Sequence, residues 1–531
     1  MTATLEVFRR VGNETASLAA GPNGLVCREG DTVVFHTTTT NLPRLTLCGN
    51  KLPPQRLGVS PDGYAAEFQK LIDVWAGRTT FVLHDGERQT SVQLDIGPHE
   101  GKLDGASWNG MIDELSRIST ALPWGLSPGR ASGHLDRNAP PAVHPAVLES
   151  QLPSFRRLLA QLLAEPPVRT LRLRALAPLT MMRRADLGTL RWLGRHPVEV
   201  AGLRGQAAEL DRPNARLMVQ QPIAVQSYDH PVTRYIAWLL DRIARRLDDT
   251  ARALRGPAGR GVADPAASAY ASELAARVEA VGLEIARVRR APLFRNISPV
   301  PADDSVIQTL ADNPLYSALH RVGRRLLDPG LAYAPGEDVE ASLKNSWDLF
   351  ELLVLYRLGG ELGRVLTARG WREAQSVAVR TLGHEAAPAN GSAWRWASPH
   401  GSTIELWYQR GFRSGLTSTG PPFTSLTGHM IPDFVIVART PQGGVSWLIL
   451  DAKFRSGESA VHEALGDLHC YRDALRIEGV RADEAFIVAP RLSERVRIYA
   501  STSYLAEHRF GALVLFEPGS LGPVTAWLER R

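Results

Sequence analysis

The chain is poor in cysteine, in lysine and in long apolar runs. Its three cysteines, Cys27, Cys48 and Cys470, stand at no metal-ligand spacing in 531 residues. Neither a disulfide framework nor a zinc ribbon is expected, and free thiols in a reducing compartment are. No apolar stretch approaches the ~20 residues of a membrane span. Met1-Thr2-Ala3-Thr4-Leu5-Glu6 lacks the basic-then-apolar opening of a secretory signal. A cytoplasmic location with no membrane partner is therefore expected. No Gly-x-x-x-x-Gly-Lys-Ser/Thr occurs, because Gly101-Lys102 runs on into Leu103, so no NTPase loop is recognisable. No His-Glu-x-x-His occurs either. The one Gly-x-Ser-x-Gly, Gly125 to Gly129, has Pro123 before it and Pro128 inside it. It reads as a loop, since a nucleophile elbow needs a strand before the serine and a helix after it. Of 61 basic residues only Lys51, Lys70, Lys102, Lys344 and Lys453 are lysine, and 56 are arginine. In that background a lysine beside carboxylates marks a place for a compact point charge rather than a planar fork. The net charge of +6 is compatible with a polyanionic partner.

What is present divides the chain into three expected regions and a multidomain α/β fold. Residues 1–100 carry short β-branched runs, such as Thr32-Val33-Val34-Phe35-His36 and Thr79-Thr80-Phe81-Val82-Leu83, between turn residues. They predict a β-rich module, a small sandwich or barrel serving recognition or assembly. Residues 101–340 read as mainly helical. Helices are expected from Pro153 to Leu163, from Pro231 to Leu254 and from Ala266 to Arg290, the first two opening on proline. A flexible link is expected at Arg255 to Gly261. Residues 341–531 read as a long helix, then strands, a helix and more strands, an α/β domain large enough to fold by itself.

Within this last region the runs Ile431-Pro432-Asp433-Phe434-Val435-Ile436-Val437 and Trp447-Leu448-Ile449-Leu450-Asp451-Ala452-Lys453-Phe454 each carry an aspartate. Thr440-Pro441-Gln442-Gly443-Gly444 between them has turn chemistry. A hairpin centred on Gln442 sets Asp433 opposite Asp451, with Cβ atoms ~4.5–5.5 Å apart. Two carboxylates that close repel unless something positive sits between them, and a shared Mg2+ with oxygen ligands satisfies both. Strand alternation puts Lys453 on the face of Asp451, where it can steady an attacking hydroxide or a pentacovalent phosphorane. The chemistry this pattern serves best is hydrolysis of a phosphodiester. A third acid, Glu351, lies in the helix Ser346 to Leu358, which is apolar on nearly all sides. A carboxylate there must bind a metal or pair with an arginine such as Arg357 or Arg410. In the helix from Glu463 to Leu475, His469, Tyr471 and Arg472 are candidate phosphate contacts, with packing roles as the alternative.

The set Glu351, Pro432-Asp433 and Asp451-Ala452-Lys453 resembles the PD-(D/E)XK nuclease superfamily. Asp467-Leu468-His469 and Tyr471-Arg472-Asp473 are similar to McrC-type nuclease subunits and to their relatives encoded beside McrB-like motors. Tyr228 to Tyr235 looks like the Asp-x-Pro-x-x-Arg helix start of the same relatives. The resemblance implies a restriction-endonuclease-like fold at 341–531. It also implies a Mg2+-dependent DNA endonuclease, with Mn2+ as substitute ion, in a bacterial restriction or anti-phage system. Its partners would be double-stranded DNA and a separate AAA+ NTPase that switches cleavage on. By the same resemblance Asp433, Asp451 and Glu351 are metal ligands with the backbone carbonyl of Ala452, and Lys453 is the catalytic lysine. Two other readings stay open: a non-catalytic DNA-binding or scaffold subunit, and an RNA nuclease on the same fold.

Overall fold

The structure is a computed structural model. It describes all residues except 1–2, 23, 62, 137–139, 199–200, 202–217, 257–264, 338 and 416–421. The chain forms two compact units. One comprises Met1–Ser150, Asp249–Glu279 and Asp328–Arg531; the other comprises Gln151–Asp248 and Ala280–Leu327. The architecture is mixed α/β, strand-rich at the N-terminus and helical in the middle, with an α/β domain at the C-terminus.

In the first unit the N-terminal strands build two antiparallel-dominated sheets. One is centred on Thr32–Thr39 and Gly63–Leu71, the other on Gly77–Asp85 and Arg88–Gly97. Val33, Phe35 and Phe68 from the first meet Phe81, Leu83, Leu94 and Ile96 from the second in one core. Strand Arg130–Leu135, which pairs with Leu331–Tyr333 and Val339–Ser342, extends the second sheet.

The second unit holds an antiparallel ribbon, Arg169–Pro178 against Met218–Ser227, and helices that include Pro314–Leu327. The ribbon was not among the expected elements. Its Arg172-Leu173-Arg174 alternation is a period-two signal inside a region otherwise patterned for helix. Helices Pro231–Arg255 and Pro265–Arg289 start one residue from, or at, the expected prolines and alanines. The helix expected from Pro153 instead runs His144–Ala164, with Pro153 in its interior. An interior proline costs ~3 kcal/mol, and the burial of Val147, Leu148, Leu152, Phe155, Leu159 and Leu162 along that helix outweighs it. The expected link at 255–261 lies, from residue 257 on, outside the described residues. Among the described residues no helix is long and apolar enough to cross a membrane.

The C-terminal domain is a seven-stranded sheet in chain order. Its strands are β1 (Arg372–Gln375), β2 (Ala393–Ala397), β3 (Thr403–Tyr408), β4 (Phe434–Arg439), β5 (Val445–Ala452), β6 (Glu484–Ala489) and β7 (Phe510–Val514). The first five are antiparallel, and β5, β6 and β7 are parallel. Helix α1 (Ser346–Ala368) precedes the sheet and α2 (Glu458–Ala474) makes the crossover from β5 to β6. Alternate residues of β4, β5 and β6 go to two different cores. Phe434, Ile436, Leu448, Leu450, Phe486 and Val488 join Leu349, Leu352, Leu353 and Leu355 of α1. Val435, Val437, Trp447, Ile449, Ala485 and Ile487 join Val461, Ala464, Leu465 and Leu468 of α2. Cover on both faces is why these strands read as continuous apolar runs rather than alternating ones. The α1 core continues beyond residue 341. Trp108, Met111, Ile112 and Leu115 of helix Gly105–Ile118, with Trp124 and Val147, belong to it.

Candidate active site

The β4–β5 turn decides where the two aspartates meet. Thr440 N donates to Gly444 O at 2.9 Å, Gly443 N donates to Thr440 O at 3.0 Å, and Gly444 N donates to Thr440 Oγ1 at 3.1 Å. Gly443 takes φ of 86°, a left-handed conformation open to glycine at no steric cost. The turn so formed pairs Phe434 with Leu450, Val435 with Ile449 and Ile436 with Leu448. This is the register expected for a centre at Gln442, and it brings Asp433, one residue before β4, level with Asp451 near the end of β5. Asp433 Oδ2 accepts a hydrogen bond from Ala452 N at 2.7 Å, which ties the first acid to the strand carrying the second.

Asp451 is 1% exposed. Lys453 Nζ lies 2.7 Å from its Oδ2, with a quarter of the lysine side chain still accessible. At that distance the ammonium and the carboxylate form a close ion pair. Burial would lower the Lys453 ammonium, but the charges of Asp451 and Asp433 outweigh it and hold the group above the ordinary lysine value. Asp433 shifts the other way for an acid. Burial, then the neighbouring charges of Asp451 and Glu351, push it well above the usual carboxylate range, with Lys453 opposing. Asp433 and Asp451 thus face the Lys453 ammonium in a poorly solvated place, and the charge of Glu351 is felt at Asp433.

The helix acid arrives from the other side of the sheet. Glu351 is 5% exposed on the buried helix α1, and it accepts a hydrogen bond from Gln409 Nε2 at 2.6 Å. The arginines expected as alternative partners are engaged elsewhere. Arg357 makes a two-pronged contact with Glu114, at 3.0 and 2.8 Å. Arg410 lies over the rings of Phe423 and Trp407, at 4.4 and 5.5 Å. Tyr471 of α2 comes in beside the acids. Its hydroxyl reaches Ile431 O at 3.5 Å, and burial, then the charge of Asp451, push it up to about 12, so it remains a donor at neutral pH.

Two expected contacts are not brought to this cluster. His469 is exposed and stacks on Phe510 at 4.0 Å. Arg472 turns toward His508 O and Asp483 O, at 3.4 and 3.5 Å. Asp483 precedes β6, which runs parallel to β5, so Arg472 sits at the opposite end of the sheet from Asp451. The reason is helical periodicity. Residues 469, 471 and 472 of α2 cannot all face one point, and only Tyr471 faces the acids. Gln409 carried no signal of its own in the sequence, because its role depends on where β3 ends relative to α1. Ser127 lies in a bend, 4% exposed, and its Oγ reaches Gly129 O, as a loop serine does.

The donor set suits a hard divalent cation. It offers carboxylate oxygens with no thiol or imidazole among them, and burial sets Asp433 and Asp451 close enough for each to feel the other's charge. Among the described residues no three His, Cys, Asp or Glu side chains converge as a complete cage. An ion here would rest on Asp433 and Asp451 and take its remaining ligands from backbone, water or substrate, as Mg2+ commonly does.

Residues 360–491 match the family model of the PD-(D/E)XK nuclease superfamily. The matched span contains Asp433, Asp451, Lys453 and Tyr471 and stops short of Glu351. No curated protein matches the chain. Among solved structures the chain is similar to a chain of the refined half-complex from a tetradecameric assembly of Thermococcus gammatolerans McrB AAA+ hexamers with bound McrC. That likeness has 13% identity and a TM-score of 0.21, and it covers 82% of this chain and 73% of that one.

Proposed function

From a PD-(D/E)XK nuclease superfamily domain at residues 360–491 as premise, we propose that this chain is a Mg2+-dependent DNA endonuclease. The observation that carries the reading is the facing pair Asp433 and Asp451 with Lys453 Nζ 2.7 Å from Asp451. Asp433 and Asp451 would hold the ion, with the Ala452 carbonyl as a further ligand, and Glu351 would add its charge from the α1 side. A bound ion would supply Lewis acidity toward the phosphoryl oxygen and bring the pKa of a coordinated water down toward neutrality. The residues themselves do the rest. Asp451 keeps Lys453 protonated, so the lysine acts as a fixed positive charge toward the oxyanion developing at phosphorus rather than as a base. Tyr471 keeps its proton and offers an O–H at the rim of the same cluster.

The subunit context follows from the McrC-like text. Asp229 to Arg234 is the motif at the start of helix Pro231–Arg255. There Arg234 Nε and Nη2 donate to Asp229 Oδ1 and Oδ2, both at 2.5 Å, and this clamps the first helical turn. With Asp467 and Tyr471 it supports a McrC-like subunit of a bacterial restriction or anti-phage system, activated by a separate McrB-like AAA+ NTPase.

The test is cleavage of plasmid DNA with Mg2+ or Mn2+, alone and with a McrB-like AAA+ protein. Asp451→Ala and Lys453→Ala are expected to abolish nicking under every condition in which the wild type nicks. Identical behaviour of wild type and both variants sinks the catalytic reading. Cleavage confined to RNA in a substrate panel redirects it to an RNA nuclease.

A further inference from the structure

Gln409 is the residue that joins the helix acid to the strand acids. It follows β3 directly. Its side chain donates to Glu351 Oε1 at 2.6 Å, and its own backbone N donates to Asp433 O at 2.8 Å. One residue therefore touches α1 and the start of β4 at once. It does so in a costly conformation, φ of 45°. Left-handed backbone costs a residue with a Cβ roughly 1–2 kcal/mol, and glycine or asparagine is the usual occupant. The residue here is glutamine, although this backbone would cost glycine less. The side-chain amide is the property that glycine lacks, and its target is a 5%-exposed carboxylate. Strain of this kind accumulates at functional sites, where surrounding structure holds it in place. The next residue anchors the strained turn: Arg410 lies over Phe423 and Trp407 and its Nη1 donates to Gly391 O at 3.3 Å.

We propose that Gln409 is a positioning residue for the metal centre: its amide orients the Glu351 carboxylate toward Asp433 and Asp451 without neutralising it. A neutral donor suits this task. An arginine in the same place would cancel the negative charge that the ion needs, and Arg357 and Arg410 are bound elsewhere. The inference rests on the nuclease reading above and adds to it a residue that touches neither substrate nor ion. Supporting residues behind metal ligands carry about 10- to 100-fold in metal affinity or activity, and that is the size of effect expected.

The test is a double-mutant cycle on the full chain, with Mn2+ as the probe and calorimetric titration as the readout. Gln409→Ala is expected to weaken Mn2+ binding about 10- to 100-fold in the wild-type background. In the Glu351→Gln background it should cost less than about threefold, because the group it orients is gone. In cleavage assays the KM for DNA should stay unchanged while the metal concentration giving half-maximal rate rises. An equal loss in both backgrounds, as from a general folding defect, overturns the proposal, as does no loss in either. Asp451→Asn separates the two levels of inference. If it loses Mn2+ binding while Gln409→Ala keeps it, the nuclease reading stands and the role of Gln409 falls. If Asp451→Asn binds Mn2+ like the wild type, the metal reading itself falls and takes the proposal with it.

Discussion

At the scale of single residues, the candidate site is a place where charge has been left unbalanced. Asp433 is held above the usual carboxylate range by burial and by Asp451 and Glu351. The folded state therefore binds a proton more readily than the unfolded chain, and stability falls as pH rises from the unfolded carboxylate value through the raised one. Asp433→Asn removes that loss while its oxygen can still accept from Ala452 N. The variant is expected to melt above the wild type at pH 7, with the difference vanishing below about pH 4, and to be inactive. A variant that melts lower than wild type at pH 7 in metal-free buffer contradicts the charge argument. On the proposed reading, a bound Mg2+ would supply the same relief in the wild type. At 100 times its dissociation constant it should add about 2.7 kcal/mol of stability, seen as a rise in Tm that Asp451→Asn does not show. Lys453→Met keeps the length and much of the volume of the side chain and removes the charge. It should lower kcat about 100- to 1,000-fold with little change in KM for DNA, measured by single-turnover nicking. The lysine was legible because the chain so seldom uses lysine, and the aspartates were legible because each interrupts an apolar run.

At the scale of elements, the hairpin was the most readable part. Thr440 to Gly444 admits one tight turn, and a one-residue slip would have moved every core side chain of β4 and β5 to the wrong face. The same two-sided burial makes the strands sensitive. Leu450→Ala on the α1 side and Ile449→Ala on the α2 side should each cost about 2–5 kcal/mol, read from chemical denaturation midpoints. A loss under 1 kcal/mol for either would mean that its face is not packed as described. Helix α2 was less readable. Its residues 469 to 472 are chemically attractive one by one, yet a helix presents them in different directions, and only Tyr471 reaches the acids. The ribbon Arg169–Pro178 with Met218–Ser227 is not legible in the sequence, because its alternation is diluted by flanking helical pattern. Pro153 misled in the opposite sense, since its cost inside a helix is local while the burial that offsets it comes from residues on both sides.

At the scale of the whole molecule, the C-terminal sheet does not close its own core. Trp108, Met111, Ile112 and Leu115 pack into the cluster that contains Leu349, Leu353 and Leu358 of α1. Glu29 accepts from Ser346 Oγ at the first residue of α1, and Lys102 lies over the ring of Phe454, next to Lys453, at 4.9 Å. A fragment of residues 341–531 alone should therefore expose the outer face of α1. It is expected to express poorly or to melt well below the full chain by circular dichroism, and a fragment as stable as the full chain would show that these contacts are dispensable. The sequence by itself determined the hairpin register, the facing aspartates, the lysine beside them and the buried helix acid, because each follows from local period, turn chemistry and the cost of burying charge. Only the tertiary structure decided that Gln409 holds Glu351, that Arg472 and His469 stay away, and that helix Gly105–Ile118 completes the core of the C-terminal domain. Those facts depend on which distant segments meet, and no local pattern in the chain encodes the distance between β3 and α1.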